Sequence, residues 1–165
     1  MKKRHIAALA VLTLAATPAL ANWTFERGRD DMTGTVTCLA VSPVQYLSTG
    51  ARQEVAPVRL VISVAGSRVL AFIRVDTKTK GLLHTDASGS GIKVEPGAFH
   101  TTAARAQQTW VPLADSGKAV DELLLAKSVR LRVKFWPYEA LVDSAPISTV
   151  GLPQAVVRVA DCAKQ

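Results

Sequence analysis

The residues of this 165-residue chain that could do chemistry are few and scattered. Beyond residue 21, His84 and His100 stand in polar surroundings with no His-x-x-x-His spacing and no second histidine at helical distance. That is too small a ligand set for the usual zinc or copper sites, and both read as exposed loop histidines. A nucleophilic triad is defined by geometry and not by order along the chain, and no local pattern points to one. The Gly/Ser run from Thr85 to Gly91 lacks the Gly-Lys-Ser/Thr ending of a phosphate loop and the spaced Gly-x-Ser-x-Gly of a nucleophile elbow, so it reads as a flexible hairpin loop. Carboxylates are scattered, among them Glu26, Asp30, Asp31, Asp76, Asp86, Glu95, Glu139 and Asp143. Glycoside hydrolysis needs two at a set separation across a cleft, which no spacing here implies. Asp30-Asp31 reads as a turn, and the alternating oxygen ligands of a calcium loop are missing. The expectation is a non-enzyme with no catalytic residues, no metal site and no cofactor.

A different feature has the spacing of a binding surface. From Arg130 the chain alternates basic and apolar residues, with Arg130, Arg132 and Lys134 on one face and Leu131, Val133 and Phe135 on the other. This is the period-two pattern of a half-buried strand. If the basic face meets solvent, its three cations are about 7 Å apart, a row able to meet a polyanion or an acidic partner. Trp136 and Tyr138 flank its end, and Trp, Tyr and Arg dominate interface hot spots. These five residues are the candidate binding site. A solvated strand face whose charges discourage edge-to-edge pairing is the plainer use of the same row.

Strands and two short helices must position these residues. Trp23 to Phe25 and Thr35 to Val41 read as an N-terminal hairpin, and Ser42 to Pro57 as a long loop. Val58 to Val64 and Arg68 to Val75 form the clearest hairpin, with Val58, Leu60, Ile62, Val64, Val69, Ala71, Ile73 and Val75 as its core face. Ile92 to Val94 and Thr109 to Leu113 read as further strands on either side of a Pro96-Gly97 turn and loop. A helix over about 117–127 places Val120, Leu123, Leu124 and Lys127 on one face. A second, over 151–163, carries Leu152, Ala155, Val156, Val159, Ala160 and Ala163 in one stripe. The fold class is α+β and β-rich, mostly an antiparallel sheet or sandwich.

Residues 1–21 have a basic start, an apolar run and an Ala-Leu-Ala ending, the form of a cleaved signal peptide. Residues 22–165 then make one β-rich domain of the periplasm or the exterior, with no later membrane span. Without the leader, 17 Lys and Arg stand against 13 Asp and Glu, a net charge of +4. That suits a protein partner or an anionic envelope polymer and not a nucleic acid. Two cysteines in an exported chain pair, Cys38 with Cys162. Closing a loop of about 125 residues stabilises by roughly 5 kcal/mol in the chain-entropy account. Oligomeric state is not read from these features.

Short motifs spread along the chain resemble the exported accessory proteins of type VI secretion clusters, the VasI/TagO-like group. They are Trp23, Asp31-Met32-Thr33-Gly34 before Cys38, the Leu60 to Val75 hairpin, Trp110 and Asp115-Ser116-Gly117-Lys118-Ala119. Arg130-Leu131-Arg132-Val133, Pro137-Tyr138-Glu139, Gly151-Leu152, Ala155 and Cys162 complete the set. Val64 departs from it, since similar proteins often carry a cysteine at the end of that strand. The resemblance implies an envelope accessory role, assisting type VI secretion through protein or cell-wall contacts, and brings no catalytic residues. Two other readings compete with it: a periplasmic inhibitor or immunity protein that blocks a toxin or hydrolase, and a small exported hydrolase, which would need His84 or His100 buried against a serine and a carboxylate.

Overall fold

The strongest apolar alternation in the sequence builds the centre of the structure. The computed structural model describes residues 22–50, 54–65, 67–76, 82–83, 89–103, 109–136 and 140–164. In chain order the first strands are β1 (Thr24–Arg29), β2 (Val36–Val41), β3 (Gln45–Ser48), β4 (Val55–Ala65), β5 (Arg68–Val75) and β6 (Leu82–Leu83). They are followed by β7 (Gly91–Glu95), β8 (Phe99–Thr101), β9 (Trp110–Pro112), α1 (Ser116–Leu125), β10 (Ser128–Trp136), β11 (Leu141–Asp143), β12 (Ile147–Ser148) and α2 (Leu152–Cys162). Among the described residues, two antiparallel sheets, two helices and one disulfide make the β-rich class expected. The anticipated leader, residues 1–21, lies outside the described residues. Among those described, no helix is long and apolar enough to cross a membrane.

The first sheet runs β1-β2-β4-β5-β9, with β3 also on β4. In the β4–β5 hairpin Val58 faces Val75, Leu60 faces Ile73 and Ile62 faces Ala71, and all six are buried. Val64 and Val69, at the turn end, are half-buried against the same core. The second sheet runs β11-β10-β7-β8, with β12 and β6 also on β10, and turns Ile92, Val94, Val129, Leu131, Val133 and Phe135 into that core. Each fully buried Leu or Ile contributes about 1.5–3 kcal/mol before the entropy of ordering is subtracted. The sheets share a seam, where Thr102 bridges Leu113, the Ala103 N–H donates to the Pro112 carbonyl at 2.8 Å and that of Ala114 to Thr101 at 2.9 Å.

The expected loop over 42–57 is corrected: Gln45–Ser48 is a strand, paired from Gln45↔Val58 to Ser48↔Val55, and β4 begins at Val55. Pro43 has no N–H to donate, so the ladder from β2 breaks into a bulge and resumes at Gln45. Of β3 only Leu47 is buried, while Tyr46 is 68% exposed, so no apolar alternation marked it. A further strand, β8, is three residues long and pairs Ile92 with His100.

The helices pack on different strands, α1 on β5 and β7 and α2 on β2, β1 and β4. In α1 the Asp115 side chain accepts from the Lys118 N–H at 3.3 Å, an N-cap, and the helix starts one residue earlier than expected. Its buried stripe is Ser116, Ala119, Val120 and Leu123, whereas Leu124 is exposed and Lys127 lies past the end, which corrects the face read from sequence. The Leu123-Leu124-Leu125 run let the periodic template slide by one position. In α2, Leu152, Ala155, Val159 and Cys162 are buried against β2, β1 and β4. Cys162 is bonded to Cys38 of β2, with Cα atoms 6.2 Å apart across 124 positions of sequence.

Candidate functional site

The outward face of β10 carries the basic residues singled out by their spacing. Strand register sets Arg130 beside Lys93 of β7, Lys93 beside Phe99 of β8, and Arg132 beside Asp143 of β11. Arg132 grips Asp143 with two bonds, Nε to Oδ1 at 2.6 Å and Nη2 to Oδ2 at 2.8 Å, and its guanidinium lies 5.7 Å over the Phe99 ring. Arg130 Nε donates to Glu95 Oε1 at 2.9 Å, and Ser128 Oγ donates to the other oxygen of that carboxylate at 2.9 Å. Lys93 Nζ donates to the Gly97 carbonyl at 2.7 Å. Lys93, Glu95, Arg130, Arg132 and Asp143 line a shallow cavity of about 240 Å³. The hydrogen bond from Arg132 holds the Asp143 carboxyl below the usual carboxylate range, against a smaller opposing effect of desolvation.

Lys134 does not join this surface. Its side chain is buried, its backbone N–H donates to Ser90 Oγ at 3.1 Å, and Leu141 stands opposite it on β11. The expected row of three exposed cations is therefore two arginines, each matched to a carboxylate. Alternation along β10 fixes which way a side chain points, and only the packing of distant segments decides whether it is covered. Trp136 ends β10 opposite Leu82, while its side chain and the whole of Tyr138 lie outside the described residues.

His100 is also corrected. Instead of sitting exposed in a loop it is buried on β8, with Nε2 3.0 Å from Glu122 Oε2 of α1. The same oxygen accepts the Ala98 N–H at 3.2 Å, and these bonds, that of His100 first, hold the Glu122 carboxyl below its usual range. The arrangement clamps α1 to the β7–β8 hairpin. The hydrolase reading asked for a serine as well as a carboxylate, and among the described residues no serine hydrogen-bonds to His100. His84 and residues 85–88 of the Gly/Ser run lie outside the described residues. Asp30 makes the turn expected of it, accepting the Met32 and Thr33 N–H groups at 2.8 and 3.1 Å. Among the described residues no group of three His, Cys, Asp or Glu side chains could hold a metal.

Two clusters escaped the sequence reading because their members come from distant strands. On the first sheet Asp76 lies between Arg59 at 3.1 Å and Arg74 at 3.0 Å, Arg74 also reaches Glu26 at 3.5 Å, and its guanidinium lies 5.2 Å over the Trp110 ring. In the angle between β1 and α2, Phe25, Arg27, Arg158, Asp161 and Cys162 line a cavity of about 230 Å³. There the Arg158 guanidinium lies 4.5 Å over the Phe25 ring. No protein-family model, curated protein or solved structure matches the chain.

Proposed function

We propose that this chain is a non-catalytic accessory domain of the periplasm that assists type VI secretion by binding a protein partner through the face formed by β7, β8, β10 and β11. The observation that carries the binding part is the fixed alternation of donors and acceptors along that face: Lys93, Glu95, Arg130, Arg132 and Asp143 around one cavity, with Phe99 beneath Arg132. Exposed ion pairs stabilise a fold by at most about 1 kcal/mol, so this network does little for folding, but it holds two guanidiniums in set orientations. Because each arginine has a carboxylate beside it, the face suits a partner with charges of both signs better than a uniform polyanion. The disulfide supports an oxidising compartment, where such bonds persist. The secretion role is supported by the resemblance of the Trp23, Asp31 to Gly34 and Arg130 to Val133 motifs.

Two experiments test these parts separately. Deleting the gene should lower effector secretion, and unchanged secretion overturns the type VI role. In a pull-down from periplasmic extract, the wild-type protein should retain a partner that the R130E/R132E variant loses. Equal capture by both proteins rules out this face.

A further inference from the structure

We infer that the free edge of β1 is a docking site for an extended acidic segment of a partner protein, which adds a strand there and seats a carboxylate between Arg27 and Arg158. The first observation is topological. β1 pairs with β2 on one side, and among the described residues no strand flanks its other side. Such an edge presents a row of N–H and C=O groups to an incoming strand. The second is the charge beside that edge. Phe25, Arg27 and Arg29 alternate onto the face that α2 packs against, and the first two line the cavity in the angle between β1 and α2.

No carboxylate pairs with Arg27, Arg29 or Arg158 among the described residues, whereas Arg59, Arg130 and Arg132 each bind one and Arg74 binds two. Asp161 lies on the cavity wall but is held by Lys164 at 3.2 Å. The Phe25 ring, 4.5 Å from the Arg158 guanidinium carbon, holds that end of the side chain at the cavity, where its N–H groups can meet a carboxylate. Arg27 adds a second cation at the same cavity, so an anion between them relieves their mutual repulsion. Side chains on one face of an added strand repeat about every 7 Å, the same interval as Phe25, Arg27 and Arg29, so acidic residues at alternate positions would come into line with these arginines. This site is separate from the β10 face and does not depend on a role in type VI secretion.

The test uses the disulfide-bonded protein isolated from periplasm and two acetylated probes, (Thr-Glu)4 and (Thr-Gln)4. Calorimetric titration should show the glutamate peptide binding at least about tenfold more tightly, the scale of one charge-assisted bidentate contact. Amide exchange of β1 should slow in the complex. In the R27Q/R158Q variant the preference should fall below about twofold, with the melting temperature little changed because exposed charges contribute little to stability. Equal binding of the two peptides, binding of neither, protection at a different strand, or acetate binding as tightly as the glutamate peptide each overturns the proposal. Self-association of the free protein that protects β1 and excludes the peptide also overturns it. Should the double variant fail to fold, the peptide pair and the β1 amides of the wild-type protein decide the matter.

Discussion

The buried N–H of Leu131 donates to the side-chain oxygen of Ser144 at 2.9 Å, and Ser144 returns its own N–H to the Leu131 carbonyl at 2.8 Å. Ser42 and Leu60 make the same two bonds in the other sheet, both at 2.9 Å. Each hydroxyl then donates to the next carbonyl, that of Pro43 at 3.1 Å or of Ala145 at 2.7 Å. In each sheet a strand pairing is interrupted close to a proline, β2 passing to β3 along β4 and β11 passing to β12 along β10. A hydroxyl at the break accepts the N–H that the missing ladder bond would have left buried and unpaired.

Ser42→Ala and Ser144→Ala should each therefore leave a buried N–H without an acceptor and cost about 1–3 kcal/mol. The two sites share no partner, so the double variant should lose the sum to within about 0.5 kcal/mol. Urea denaturation checks both statements. A loss below about 0.5 kcal/mol for either single variant would show that the hydroxyl is dispensable, the range expected of a surface change.

The Cys38–Cys162 bond fastens α2 to β2, and reducing it should cost about 2–5 kcal/mol, toward the upper end for so long a loop. Melting curves with and without dithiothreitol measure the loss. Because Leu152, Ala155 and Val159 are the buried contacts that remain, the amides of α2 should lose exchange protection before those of β4 and β5.

The parts of this fold legible in sequence are those whose signal is local. Val58 to Val75 announces a hairpin through its own alternation, and Leu152 to Cys162 a helix through its stripe. The Cys38–Cys162 bond is legible because the sequence holds two cysteines, which leave one intramolecular pairing. What was missed depends on segments remote in sequence. Lys134 has the same alternation as Arg130 and Arg132, yet it is buried where they are exposed, with Leu141 opposite it on β11. His100 looked like a loop residue because its three-residue strand has no periodicity, and Glu122, which holds it, is on a later helix. Arg27 and Arg158 come together only when α2 is laid against β1.

Acid should weaken the His100–Glu122 clamp. The Glu122 carboxyl is held below its ordinary value of 4.5, so the unfolded chain takes up a proton at a higher pH than the folded one. Stability from this group is then fully present above about pH 4.5 and is lost as pH falls through the lower folded value. Asp143, held down by Arg132 from an ordinary 3.8, acts in the same direction. Urea midpoints measured from pH 6 down to about 3 should fall, and Glu122→Gln should flatten part of that fall while lowering the midpoint at pH 6. An unaltered acid profile in the variant would remove Glu122 from the account.

The three cations of β10 should behave differently on truncation. Arg130→Ala and Arg132→Ala break exposed ion pairs and should each cost less than about 1 kcal/mol. Lys134→Ala removes a buried stem and should cost more, about 1–3 kcal/mol. Thermal melts of the three variants under one condition provide the ranking. Equal losses would mean that Lys134 is no more built into the fold than its neighbours.

Gly91 and Gly117 give opposite expectations for the same substitution. Gly91 pairs with Thr101 across the β7–β8 hairpin, and a Cβ there would run into the backbone oxygen of His100. A backbone carbonyl cannot swing aside as a flexible side chain can, so Gly91→Ala must push β8 away from β7 and draw His100 from Glu122. The expected cost is about 1–3 kcal/mol, as for other overpacked sites. Gly117, in the first turn of α1, has nothing within 4 Å of the position a Cβ would take. There alanine should stabilise by up to about 1 kcal/mol, since it loses less backbone freedom on folding. Denaturation of both variants checks the pair, and a neutral Gly91→Ala would mean that β8 is loose enough to yield, which the buried His100 opposes.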